Sequence, residues 1–226
     1  MGLPLRKVEL NRTSAFSFSC RRCLSCCHFK KIQLNPYEVA RLAANRGIST
    51  TAFLDQYTIA GSVLRFTDEG SCIFLDANGC SVHADRPLVC RLYPLGRYVD
   101  YYGVETFSQI ELEDGCRGEL GEAGPIAHYL EEQGALPFMA AADRYLGLLW
   151  FLMDQLQEQE TGLPEREILL NAVQSAADGA LYGPAATMID LDLAVERYCD
   201  QSGMPVPHSI EERMLLHIKA VRDWAA

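Results

Sequence analysis

At 226 residues the chain can bury a substantial core in one or two domains. Thirty acidic against 20 basic side chains give a net charge of −10, which argues against a long nucleic-acid track, and without a run of 18 apolar residues no membrane-spanning helix is expected. The opening stretch, MGLPLRKVELNRTSAFSF, has neither a continuous apolar core nor a small-residue cleavage site, and position 6 is Arg. Export by signal peptide and myristoylation are therefore not expected, and the cytoplasm is the default location.

The charge is unevenly spread. Residues 1–46 hold nine Lys/Arg and two acids, whereas the remainder holds eleven and 28. Within the basic segment lies Cys20-Arg-Arg-Cys23-Leu-Ser-Cys26-Cys27. Thiols at this density oxidise and cross-link unless something binds them. Arg21, Arg22, Lys30 and Lys31 flank the run, where they offset the negative charge of a thiolate centre and favour the thiolate form.

Asn35-Pro36 then signals a helix start, and the helix is expected to run to about Arg46 and stop at Gly47. Ser49 or Thr50 caps a second helix through Tyr57. Val63–Phe66 and Cys72–Leu75 are expected as short strands. Asn78-Gly79 is a hairpin turn signal that returns the chain through Cys80–Val82. Cys90 follows in Arg86-Pro87-Leu88-Val89-Cys90-Arg91-Leu92-Tyr93-Pro94. Residues 97–110 read as a β pair broken near Gly103, and Cys116 lies in Asp114-Gly115-Cys116-Arg117-Gly118. Beyond Gly124 the pattern is helical, with helices expected at 125–133, 137–157, 164–177 and 190–200, and a last one opened by the capping box Ser209-x-x-Glu212 with a stripe of Ile210, Met214, Ile218 and Val221. The expected fold class is α+β: a cysteine-rich region over 1–123, followed by an all-helical region over 124–226.

Nine cysteines, an odd count in a reducing compartment, do not suggest a disulfide framework. Eight of them cluster: Cys20, Cys23, Cys26, Cys27, Cys72, Cys80, Cys90 and Cys116 are the candidate metal ligands. Cys199 stands alone on a helix and reads as a small buried hydrophobe. Nitrogen donors are scarce. Only His28 and His83 lie near the cysteines, and His128, His208 and His217 are expected at helix surfaces or caps. An all-sulfur set suits an iron–sulfur cluster or zinc. The C-x2-C-x2-C run favours a [4Fe–4S] cluster, because one loop can serve three cube corners. Zinc is the alternative, although its usual second C-x2-C knuckle is missing. Cys26 and Cys27, if extended, would point to opposite faces and suggest two centres. One would take Cys20, Cys23, Cys26 and a late cysteine, the other Cys27 and the remaining three.

The CxxCxxCC run, the Cys-x-Phe-Leu…Gly-Cys hairpin at Cys72–Cys80 and the RPxxCRxYP stretch at Arg86–Pro94 resemble the YkgJ family, also called the CxxCxxCC or zinc- or iron-chelating domain. The resemblance covers roughly residues 18–120. A further match is at Cys116, where the family often has Cys-Pro-Gly and this chain has Arg117. The family is distantly similar to the flagellin lysine methylase FliB, which is associated with a [4Fe–4S] centre and S-adenosylmethionine. The resemblance implies a metal site. Two functions are expected to compete for it: an enzyme component that modifies a protein or peptide, or a non-catalytic metalloprotein whose helical part docks a partner. Arg86 and Arg91 are expected to brace backbone and compensate charge, and Tyr93 to pack its ring in a turn.

Overall fold

A computed structural model describes residues 5–59, 61–158 and 188–225. The expected helix over 164–177 lies outside them. The fold is α+β, and its contacts group into two compact units: residues 1–30 with 66–140, and residues 31–65 with 141–226.

The first unit is built on two antiparallel sheets. Strands β1 (Leu5–Leu10), β7 (Leu95–Val99) and β8 (Glu105–Ile110) form one sheet in the order β1-β8-β7. The predicted pair over 97–110 is β7 and β8, and Gly103 takes the positive φ of 81° needed at their turn. Strand β2 (Ala15–Ser19) pairs with β9 (Glu119–Pro125), placing Ser19 opposite Glu119. A Cβ on Gly118 would stand 2.4 Å from the Phe18 ring, so a larger residue there would push that ring out of place. A core of Phe16, Leu92, Leu95, Phe107, Ile126, Tyr129, Leu130 and Met139 joins both sheets to helix α4 (Ile126–Glu132) and the start of helix α5 (Leu136–Glu158).

The rest of this unit has little continuous structure. The Asn78-Gly79 hairpin forms, but its strands β5 (Leu75–Asp76) and β6 (Gly79–Cys80) are two residues each, shorter than expected. Helix α3 (Leu88–Leu92) is a little over one turn.

The second unit is mainly helical. Helix α1 (Pro36–Arg46) starts and stops as the sequence dictates: Asn35 Oδ1 accepts from Glu38 N–H, Glu38 Oε2 accepts from Asn35 N–H, and Gly47 closes the end at φ 67°. The capping role explains why Glu38 is buried. Helix α2 (Thr50–Tyr57) is capped by Ser49. Strands β3 (Thr58–Ile59) and β4 (Val63–Leu64) form a short hairpin, so the strand expected over 63–66 ends at Leu64. Helices α6 (Leu191–Ser202) and α7 (Ile210–Ala225) pack on each other and on α1. Asp190 accepts from Thr50 Oγ1 at 2.6 Å, from Thr51 Oγ1 and from Leu193 N–H, while Asp192 accepts from Thr50 N–H, so α2 and α6 cap each other.

One expectation needs correction. His217 is not a surface residue: it is fully buried on α7, and its Nδ1 lies 3.1 Å from the Tyr145 hydroxyl. The helical period puts it on the same face as Met214 and Val221, so the face is wider than the apolar residues alone suggested. Helix α5 bears on the expectation that no helix spans a membrane. Its segment Leu136–Gln155 has a mean hydropathy of 1.2 and is long and apolar enough to cross a membrane. It nevertheless carries Asp143 and Arg144, and buries Phe138, Ala141, Tyr145, Leu148 and Leu152 at the spacing of one packed helix face.

Candidate metal centre

The cysteine run begins one residue after β2. It cannot continue as a strand, because Arg22, Leu24 and Phe29 take positive φ values of 49°, 68° and 53°. Left-handed turns at non-glycine residues are costly and coil the segment tightly. Ser25–Cys27 form a single 3-10 turn, closed by Cys27 N–H to Leu24 O at 2.8 Å. The premise that Cys26 and Cys27 point apart therefore fails: they lie on a turn rather than a strand, and each thiol lies within range of the other's charge.

Three later segments meet this coil. The first is 70–72, where Cys72 N–H donates to Cys27 O at 2.9 Å and Phe29 N–H to Gly70 O at 2.8 Å. These bonds set Cys72 beside the adjacent pair, and the 75–80 hairpin extends from there toward Leu24, which sits 3.7 Å from the Cβ position of Gly79. The second is the turn at 113–116, closed by Cys116 N–H to Glu113 O and held by the Lys30–Glu113 ion pair. The β2–β9 ladder brings this turn to the run, and Arg117 N–H donates to Cys23 Sγ at 3.4 Å.

The third segment carries Cys90 on α3. Arg91 is buried and donates to three carbonyls, with Nε to Arg86 O at 2.9 Å, Nη1 to Gln133 O at 2.9 Å and Nη2 to Ala84 O at 2.5 Å, and its guanidinium lies 3.9 Å over the Phe138 ring. Arg86 donates to His83 O and to Gln133 Oε1. Both arginines brace backbone, as expected. Of the flanking cations, Arg21 is engaged with Glu119 and Lys30 with Glu113, though Lys30 still favours the Cys26 thiolate.

All nine cysteines are thiols. Backbone N–H groups of Arg117 and Ser25 pull the Cys23 pKa down from 9.0 to about 6. The neighbouring Cys27 thiol lowers Cys26 to about 7, and Cys26, with burial, pushes Cys27 far up. Burial raises Cys72 and Cys116. Cys23 contacts Cys116, Cys27 lies within range of the charges on Cys72 and Cys90, and Cys72 within range of Cys80 and Cys26. Cys20 and Cys90 are exposed. Cys199 is buried on α6, its thiol 3.6 Å from Pro205 O, as a small hydrophobe should be. His28 Nδ1 is 3.1 Å from Ser71 Oγ.

Among the described residues no three His, Cys, Asp or Glu side chains stand close enough to hold a single ion as they are placed. The thiols meet in pairs within a wider group. The donor chemistry itself, soft sulfur with two thiols already biased to thiolate, fits zinc or iron. The sequence did not single out Ser25, Glu113 or the backbone of Arg117 as supports: Glu113 and Arg117 come to the run through the pairing of β2 with β9, and Ser25 acts through a local turn that has no residue signature.

A family model described as "CxxCxxCC: Putative zinc- or iron-chelating domain" matches residues 19–116. No curated protein and no solved structure matches the chain. The matched segment begins at the end of β2 and ends at Cys116, so it contains all eight clustered cysteines. Residues 19–116, less than half of the chain, are thus similar to the CxxCxxCC, or YkgJ-type, family.

Proposed function

We propose that this protein holds a [4Fe–4S] cluster on sulfurs drawn from Cys20, Cys23, Cys26, Cys27, Cys72, Cys80, Cys90 and Cys116, and works as an enzyme component that modifies a protein or peptide. The observation that supports the reading is the convergence of the Cys20–Cys27 run with the segments carrying Cys72, Cys90 and Cys116, with Cys23 and Cys26 biased toward thiolate. A cube with four iron corners accepts sulfurs spread over a wider perimeter, and the C-x2-C-x2-C run is suited to three of those corners. A bound cluster supplies one-electron transfer. The chain supplies thiolates, N–H donors to sulfur and, at Cys20 and Cys90, exposure toward a partner. An odd cysteine count without a disulfide framework supports a reducing compartment such as the cytoplasm.

A second reading, structural zinc, is favoured by the two-residue strands of the 75–80 hairpin. A segment with so little hydrogen-bonded structure gains much from a metal staple. The test is anaerobic purification with metal and acid-labile sulfide analysis. Brown protein containing iron and sulfide is expected, with Cys23→Ser losing metal and Cys199→Ser keeping it. Stoichiometric zinc without sulfide would replace the cluster with the zinc reading.

A further inference from the structure

Phe29, two residues past the adjacent cysteines, breaks two local rules at once. It is 81% exposed, and its backbone sits at φ 53°, a left-handed conformation that a bulky side chain takes only at a cost. Burial does not offset that cost. The ring is nevertheless fixed. Phe29 N–H donates to Gly70 O at 2.8 Å, and the ring lies over Gly70, where a Cβ would collide with it. Gly70 takes φ 82° in a turn closed by its own N–H to Thr67 O at 2.8 Å and by Thr67 N–H to Ser71 O at 2.7 Å. Residues held in strain this way cluster at ligand clamps and active sites. The surrounding backbone adds two cations. Arg22 also has a positive φ, 49°, and its N–H donates to Cys20 Sγ at 3.4 Å. Arg117 N–H donates to Cys23 Sγ at 3.4 Å, so both arginines branch from backbone beside Cys23. The Lys30–Glu113 ion pair ties the segment of Phe29 to the turn that leads into Arg117. Arg21 and Lys30 have their carboxylates in Glu119 and Glu113. Arg22 and Arg117 are exposed and form no ion pair among the described residues. The exposed Asp114 lies on the same turn, one carboxylate against two guanidinium groups.

We propose that Phe29, Arg22 and Arg117 form the docking surface for a protein partner, and that the partner offers a segment of apolar side chains interspersed with carboxylates. The inference rests on the protein-or-peptide part of the reading above and holds for either metal. Aromatic rings and arginines are the residues that dominate the energetic centres of protein interfaces. A ring held rigid before binding loses little freedom on entering a partner's apolar pocket. The guanidinium groups, each a planar fork of N–H donors, take carboxylates two bonds at a time. The segment that gathers the sulfurs thus also faces the partner, which brings that partner to the exposed side of the centre, where Cys20 lies.

The test is fluorescence anisotropy with the anaerobically purified full chain and labelled peptides of equal length, composed of Leu and Glu, Leu and Lys, or Gln and Glu. The Leu/Glu peptide is expected to bind about tenfold more tightly than either of the others, and to weaken as salt is raised. Phe29→Asn removes the ring and keeps the left-handed backbone, which Asn tolerates. It should lose about tenfold in binding with no fall in the thermal midpoint. Arg22→Gln combined with Arg117→Gln should lose a similar factor, about tenfold, together with the salt dependence. Equal binding of the peptides, or unchanged binding in either variant, overturns the proposal. A fall in the midpoint of Phe29→Asn would make the ring a structural support and overturn it as well. So would a single-stranded oligonucleotide of the same charge binding as tightly as the Leu/Glu peptide, since the surface would then attract any polyanion. Iron, zinc and sulfide analysis of the same samples reports on the centre separately, so a failure of the metal reading is not mistaken for a failure of this one.

Discussion

At the scale of single residues, the thiols differ more than their shared chemistry suggests. Cys23, held near 6 by the N–H groups of Arg117 and Ser25, is largely thiolate at neutral pH. Cys72 and Cys116 lie above the ordinary thiol value of 9.0 because burial penalises their charge. In metal-free protein, alkylation follows the thiolate fraction. The rate at Cys23 should therefore rise through about pH 6 and level off by pH 8, whereas Cys72 and Cys116 gain reactivity only above pH 9. Site-resolved mass spectrometry across pH checks the order, and a Cys23 rate still climbing at pH 9 would contradict it. The candidate sulfurs were legible in the sequence because the spacing of cysteines is itself a chemical signal. Their supports were not. Glu113, Ser25 and the amide of Arg117 have no distinguishing pattern: Glu113 and Arg117 come to the run only through the pairing of β2 with β9, whereas Ser25 reaches Cys23 through the local turn.

At the scale of elements, local signals were reliable and long-range ones were not. Asn35-Pro36 with Glu38 and Gly47 bounds α1, Ser209 with Glu212 opens α7, and the hairpin signalled by Asn78-Gly79 forms with its turn one residue earlier, at Ala77-Asn78, since each is decided within a few residues. Strands β1, β2 and β9 went unrecognised. β9, Glu119–Pro125, has two glycines and mostly exposed side chains, so it has no alternating apolar face to read. The helix–loop element around Cys90 depends on Arg91 rather than on its own hydrogen bonds. Arg91→Met would leave the carbonyls of Ala84, Arg86 and Gln133 without their donor, at about 1 kcal/mol each. Urea denaturation should show a loss of about 3 kcal/mol, and Arg91→Lys should recover only part of it. A loss below about 1 kcal/mol would mean that water replaces the guanidinium without penalty.

At the scale of the whole molecule, the chain passes between its two compact units three times, near residues 30, 65 and 140. Helices α1 and α2 belong with α6 and α7, and the joint between α2 and α6 is polar: Asp190 and Asp192 take both hydroxyls and one N–H from Thr50 and Thr51. Asp190→Ala removes an N-cap worth about 1 kcal/mol and strands two hydroxyl donors, so a destabilisation of roughly 3 kcal/mol is expected. Asp190→Asn keeps the cap on α6 and should lose less. Thermal unfolding of the two variants checks the ranking, and equal losses would argue that the buried charge rather than the cap holds the joint. None of this was readable from the sequence, because Thr50 and Asp190 are 140 positions apart.

The pairing of Ser19 with Glu119 also sets an order of events during synthesis. The CxxCxxCC run leaves the ribosome early, but its partner strand is still untranslated. Until residue 119 emerges, nothing aligns Cys23 with Cys116 or supplies the amide of Arg117 to its sulfur. For the time needed to translate the intervening chain, four neighbouring thiols travel without the structure that gathers the rest. The nascent protein is therefore most exposed to oxidation, and to capture by the wrong ion, in the interval before β9 closes onto β2.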